Sequence, residues 1–367
     1  AEFVPGREAR IERQKPMQGS RIERRRDSLA DWREIPETLS AADGEIIAQI
    51  DFAALTANNV TYAVHGAAPL FYWRFFPASD DAWGVVPLWG FGTVVESRNP
   101  AIAVGSRFYG YWPSASHLRL KPGPLKANGF SDMAEHRQGL APVYNAYRRV
   151  AAATSGEEPL FALFQPLFGT AFVLDHVLKD TAGDATIILT SASSKTALGT
   201  AFSLSRRPGA RVTGLTSAAN RDFVASTGYY TTVLSYDEIG RLDPDSPSIL
   251  VDFAGNGPLK AKLHRHLKGL KASHIVGNTH WDTSGESELP GPRPALFFAP
   301  SAWEERAKKT GPAAFEAELS AALQSFLKTV PAWLKVENYH GAQGHAQAFD
   351  DLLSGRAPAE RGAIWHP

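Results

Sequence analysis

The chain contains no cysteine. That removes thiolate nucleophiles, disulfides and every zinc site that needs a cysteine ligand, while leaving the redox compartment open. It also lacks a net charge, with 38 basic residues against 38 acidic ones. Nothing global therefore draws it to nucleic acid or to an anionic membrane. No uninterrupted run of about 18 apolar residues occurs, so no membrane span is expected. The start of the sequence has no apolar signal core, and a cytoplasmic location is the default expectation.

What is present is an ordinary globular composition of 367 residues, 44% hydrophobic and 21% charged, enough for two domains. Nine tryptophans add to an aromatic share of 11%. Many aromatics fall between Phe71 and Trp112, which suits packing between strands and also an apolar pocket lined by part of the group. Residues 1–40 are charged and poorly periodic and read as a surface arm entering a first strand. A β-rich domain is expected over 41–158. From about 45 to 122 the texture is β, with "EIIAQIDFAAL", "GFGTVVES" and "SRFYGYWP" set between turn formers, as in a small barrel or sandwich. Residues 123–158 are irregular, with a short helical candidate near Tyr144.

After "SGEEP" the pattern changes. "LFALFQPLFGTAFVLDHVL" reads as a buried helix. Six strand candidates follow, "TIILT", "RVTGLT", "YTTVLSY", "SILVDFAG", "ASHIVGN" and "PALFFAP". Helical segments separate several of them, which is the signature of a parallel sheet covered on both faces. The expectation is a Rossmann-like domain over 159–325, then a return of residues 326–367 to the first domain. "AAFEAELSAALQSFLKTV" is an amphipathic helix. "HAQAFDDLLSGRAPAERGAIW" reads as a helix ended at Gly355, a turn and a closing strand.

"TIILTSASSKTALG" starts as a dinucleotide-binding turn but places Ser191, Ser194 and Ala197 where glycines are usual. These are the smallest substitutes, and Ala197 still meets the need for close helix packing. The helix N-terminus keeps its N–H groups and its dipole. Ser193, Ser194 and Thr196 add hydroxyls and Lys195 adds a cation, so side chains can replace glycine-enabled backbone contact. The competing reading is that Ser193 or Ser194 only caps the helix, with Lys195 solvated. At the end of the second strand, where an NAD site places a carboxylate, the chain has Thr216, Ser217 and Ala218. Arg221 follows one turn later. Hydroxyl and guanidinium suit a 2′-phosphate, so NADPH is the expected cofactor. Asn256, Gly277 and Asn278 follow the fourth and fifth strands and are expected on the nicotinamide side.

Taken in order, these segments resemble the medium-chain dehydrogenase/reductase superfamily, and within it the zinc-free quinone-reductase and enoyl-reductase branch. The similarity runs through "EIIAQIDFAALTANNVTYAVHG", "VVPLWGFGTVVES", "RVTGLTSAANRDFVASTGYYTTVLSYDE" and the terminal helix and strand. "ALTANNVTYA" with "SASSKTALG" is also similar to a bacterial offshoot of unknown function. The resemblance implies an α/β protein with a GroES-like barrel and a Rossmann-like sheet, acting as a reductase of an apolar enone, quinone or carbonyl substrate. It is also compatible with a homodimer.

Leu88 and Trp89 stand where the zinc branch carries a His-Glu pair, so no metal is expected. His264 and His266, two apart on a helix, point to different sides and cannot chelate together. His340 and His345 read as surface residues. Without metal, a donor must stabilise the developing oxyanion. The resemblance places Tyr62 opposite the nicotinamide with Asn59 as a second donor, and Tyr72, Tyr109 and Tyr111 in reserve. The alternative is a redox-silent or lyase/isomerase-like relative with an altered cofactor loop.

Overall fold

The structure, a computed structural model, describes residues 16–150, 156–276 and 289–367. Strands β1 (Met17–Arg25) and β2 (Trp32–Leu39) form an antiparallel hairpin. Residues 1–15 of the segment read as an arm lie outside the described residues; from Met17 on it forms this hairpin, and several of its charges are paired. Glu23, fully buried, takes Arg33 at 2.8 Å and Arg21 at 2.9 Å. Buried Arg24 reaches Asp350 at 2.8 Å and lies 4.0 Å above the Phe349 ring, pinning the hairpin to a C-terminal helix.

The β-rich half comprises β3 (Ile46–Leu55), helix α1 (Ala57–Val64), then β4 (Trp83–Gly84), β5 (Pro87–Ser97), β6 (Arg107–Pro113), β7 (His117–Leu120), β8 (Gly129–Ser131) and β9 (Ala146–Val150). Most join one sheet in the order β16 (Lys335–His340), β17 (Arg361–His366), β3, β5, β6, β9, β8. Its members β16 and β17 come from the C-terminus and flank α8 (Gly341–Leu353). The chain therefore leaves this half and returns to it.

Between lies the second sheet: β10 (Thr186–Leu189), β11 (Val212–Thr216), β12 (Thr232–Ser235), β13 (Ser248–Asp252), β14 (Leu270–Val276) and β15 (Ala295–Phe297). Every pair in it is parallel, and the spatial order is β12-β11-β10-β13-β14-β15. In chain order that is 3-2-1-4-5-6, the doubly wound order whose ligand crevice lies outside the strand ends where the winding reverses, here between β10 and β13. The strands are short apolar runs because both faces are covered.

Helix α2 (Glu158–Thr181) packs against α3 (Lys195–Ser205), α7 (Pro312–Leu327) and strands β3, β5 and β17. Among the described residues it is the one helix long and apolar enough to cross a bilayer, yet Leu163, Phe164, Phe168 and Leu174 are buried in the protein core. It joins the two halves. The remaining helices are α4 (Arg221–Ser226), α5 (Gly257–His266) and α6 (Ala299–Thr310).

Candidate functional site

The turn after β10 is built tightly. Thr190 and Asp252, each 1% exposed, tie the ends of the two central strands. Thr190 donates to Asp252 Oδ1 at 2.7 Å and accepts from the Phe253 and Ala254 amides. Ser191 then takes φ 48°, the left-handed conformation a glycine would adopt without penalty. For a side-chain-bearing residue this costs roughly 1–2 kcal/mol. Its amide is secured by the Tyr236 hydroxyl at 3.1 Å. Ala192 is fully buried against β11, and its close approach is permitted by a glycine on the other partner. A Cβ on Gly214 would lie 2.9 Å from the Ala192 Cβ and 2.8 Å from the Tyr230 ring. The glycine missing from the loop is thus partly supplied by the neighbouring strand.

Ser194 caps α3, its hydroxyl accepting from the Ala197 amide at 3.3 Å. Ala197 is fully buried, and a Cβ on Gly199 would lie 3.2 Å from the Phe168 ring, so α3 sits close on α2. Ser193 Oγ accepts from Asn220 at 3.1 Å and from Thr216 at 3.4 Å, linking the turn to the end of β11. Thr196 is half-buried in the first helical turn. Lys195, also half-buried, is held at its tip by the protein. Its ammonium donates to the Arg361 carbonyl of β17 at 2.8 Å, and burial lowers its pKa to about 8.

Beyond β11, Ser217 opens a short turn leading to Arg221. No acid follows β11 directly, but one arrives from the neighbouring strand. Glu238, after β12, holds Arg221 Nε at 3.5 Å and Arg241 at 2.6 Å and accepts from the Ser235 amide at 3.0 Å. These contacts, led by the Ser235 amide, keep its carboxyl below the usual range. Glu238 carries no mark in the sequence, because it reaches Arg221 from the segment after β12 rather than from the end of β11. Asn256 is exposed and caps α5 through the Leu259 amide at 2.9 Å. Gly277 and Asn278 lie outside the described residues.

In the β-rich half, Tyr62 is 3% exposed within a group of aromatic rings. Its centroid lies 4.6 Å from Tyr72, 5.4 Å from Tyr111 and 6.0 Å from Tyr144. Its hydroxyl accepts from Asn58 at 2.7 Å and from Trp89 Nε1 at 3.0 Å. Tyr72 and Tyr144 hydroxyls meet at 3.2 Å. Among the described residues, the hydroxyl of buried Tyr111 has no hydrogen-bond partner. Burial raises the pKa of all four phenols. At neutral pH each phenol therefore keeps its proton. Tyr144, half-buried on a short helical turn (Pro142–Asn145) at the helical candidate read there, also belongs to this cluster, which the sequence pattern did not indicate.

Asn59 is not a free donor. Its Oδ1 accepts from the Thr56 amide at 2.7 Å, capping α1, and its Nδ2 donates to the Pro87 carbonyl at 2.8 Å. Among the reserve tyrosines, Tyr109 donates to Gln165 of α2 at 3.0 Å.

Among the described residues no three His, Asp or Glu side chains gather as a metal-ligand group. His264 meets Ser273 and Pro290 while His266 meets Leu242, on different sides of α5. The surface assignment of His345 requires correction. It is fully buried on the inner face of α8, 2.8 Å from Ser114 Oγ, and desolvation lowers its pKa to about 3. His340 is exposed and stacks on His366.

A Rossmann sheet inserted into a β-rich sheet, with a helix-capping turn at the switch point, is the architecture of medium-chain dehydrogenases/reductases. Solved structures agree at the level of fold. CurA from Vibrio vulnificus, crystallised with NADPH, superposes with a TM-score of 0.64 at 11% identity, covering 95% of this chain and 98% of that one. TarJ from S. aureus, also in complex with NADPH, gives 0.59 at 7% identity, with 95% and 99% covered. CurK enoyl reductase gives 0.56 at 12% identity, with 95% and 99% covered. No curated protein matches the sequence. Residues 53–358 match the family described as "Protein of unknown function (DUF2855)", and the chain belongs to that family.

Proposed function

We propose that the protein is an NADPH-dependent reductase of an apolar conjugated enone, quinone or carbonyl compound, working without zinc. The carrying observation is the turn after β10, where Ser191 adopts the left-handed conformation of the missing glycine at the switch point of a 3-2-1-4-5-6 sheet. The residues present suit a dinucleotide. The first-turn N–H groups of α3, with Ser193, Ser194, Thr196 and the Lys195 ammonium, would hold the pyrophosphate. Ser217 and Arg221 would hold the 2′-phosphate, with Asn256, Gly277 and Asn278 on the nicotinamide side. NADPH-bound neighbours of the same fold support the choice of nucleotide, and an enoyl reductase among them supports the substrate class.

The bound nucleotide supplies a hydride. The chain supplies the proton-bearing group that stabilises oxygen as charge develops on it. Tyr62 fills this role in the proposal, since its phenol stays protonated, its hydroxyl is held by Trp89 and Asn58 and its ring packs on Tyr111. Asn59, committed to the α1 cap and Pro87, acts as a positioning residue for that helix. The exposed apolar residues Leu296 and Phe298 on and beside edge strand β15 support a homodimer, which light scattering would detect as twice the chain mass.

A second reading has its own observation. Ser194 already caps α3, and Lys195 already bonds to Arg361. If those contacts close the loop to nucleotides, the protein is a redox-silent or lyase/isomerase-like relative. Fluorescence titration with NADPH separates the two. Binding well below millimolar supports the reductase, and no binding at millimolar concentration removes it.

A further inference from the structure

Strands β11 and β12 are neighbours in register, Thr216 opposite Ser235, so the segments leaving them emerge side by side at the rim of the crevice. One segment brings Ser217, Asn220 and Arg221, and the other brings Glu238 and Arg241. Glu238 bridges both arginines, with Arg221 at 3.5 Å and Arg241 at 2.6 Å. The two guanidiniums remain half-exposed or more, at 46% and 63%, and open to a ligand.

We propose that Arg221, Arg241 and Glu238 form one cofactor-selecting cluster, in which Glu238 competes with the 2′-phosphate for the two guanidiniums. This rests on the dinucleotide-binding reading above and adds to it a second arginine and an opposing acid. The charge balance decides the behaviour. Two guanidiniums match one phosphate dianion, but with Glu238 in place they face three negative charges. A 2′-phosphate must therefore displace the carboxylate from its pairs. A 2′-hydroxyl does not, and can even donate to it. The native protein is then only a moderate discriminator between NADPH and NADH, and the acid sets the limit.

Glu238→Gln removes the charge but keeps an acceptor for the Ser235 amide, so the turn it caps survives. Arg241 is a surface side chain, and Arg241→Ala leaves the core untouched. Dissociation constants for NADPH and NADH, with 2′,5′-ADP and 5′-AMP as fragment probes, are measured on the full chain for both variants. Glu238→Gln should tighten NADPH and 2′,5′-ADP about tenfold while NADH and 5′-AMP stay unchanged or weaken. Arg241→Ala should weaken NADPH and 2′,5′-ADP about tenfold and spare the other two. Equal changes for both nucleotides, or none, would reduce the cluster to surface ion pairs and overturn the proposal. So would a loss confined to NADH in Glu238→Gln, which would make Glu238 a ribose-hydroxyl acceptor. Failure of the native protein to bind either nucleotide strikes the reductase reading itself and is distinguishable from these outcomes.

Discussion

Lys195 offers a test that needs no substrate. Burial places its pKa near 8, so the free protein loses this charge within an ordinary working range. If the ammonium holds the pyrophosphate, the bound form retains the proton, because an adjacent anion raises the pKa again. Binding is then coupled to proton uptake above pH 8. At pH 7 about nine in ten free molecules carry the charge, and at pH 9 about one in ten do. The NADPH dissociation constant should therefore rise about tenfold from pH 7 to pH 9, with most of the change above 8. NADH, sharing the pyrophosphate, should follow the same curve. Lys195→Arg keeps its charge throughout, and its profile should be flat. Quenching of tryptophan fluorescence during nucleotide titration gives the constants. A flat profile in the native protein, or the same slope in Lys195→Arg, would remove Lys195 from the pyrophosphate.

Arg221→Ala should weaken NADPH about tenfold, the worth of one charge-assisted contact of roughly 1.5 kcal/mol, and leave NADH nearly unchanged; equal losses would remove it from the 2′-phosphate. Tyr62→Phe should lower turnover about 10²–10³-fold with NADPH affinity intact, in an assay found by screening enones and quinones for NADPH oxidation. The same change leaves the Asn58 and Trp89 donors without their acceptor, so a stability loss of about 1–3 kcal/mol should appear in the melting curve. Activity equal to the parent would eliminate Tyr62 as the donor. Purified protein should hold no stoichiometric zinc and keep its activity in EDTA; one tightly bound zinc per chain would contradict the proposed chemistry.

The parallel sheet was legible because its strands are apolar runs bounded by turn formers, from "TIILT" at β10 to "PALFFAP" at β15. Helix α2 was legible for the same reason, since Leu163, Phe164 and Phe168 are buried on nearly every side. The N-terminal hairpin was not. Its strands carry arginine and glutamate at alternate positions, and only pairing across the hairpin and to Asp350 makes those charges compatible with burial. His345 misled for a related reason, because its burial is set by Ser114, 231 residues away. In the candidate site, the loop residues and Arg221 could be placed by counting from a strand. Glu238 and Tyr144 could not, since each reaches its cluster from a segment with no local mark of its role. The structural occupation of Asn59 by its own helix cap was likewise invisible in "NNVTYA", although a Thr three residues before an Asn permits it.

Whether a turn without its glycines binds a dinucleotide is decided by equilibrium titration of the purified chain with NADPH. The expected result is a saturable signal with a dissociation constant well below millimolar, and weaker binding of NADH. No saturation by either nucleotide at millimolar concentration would contradict it.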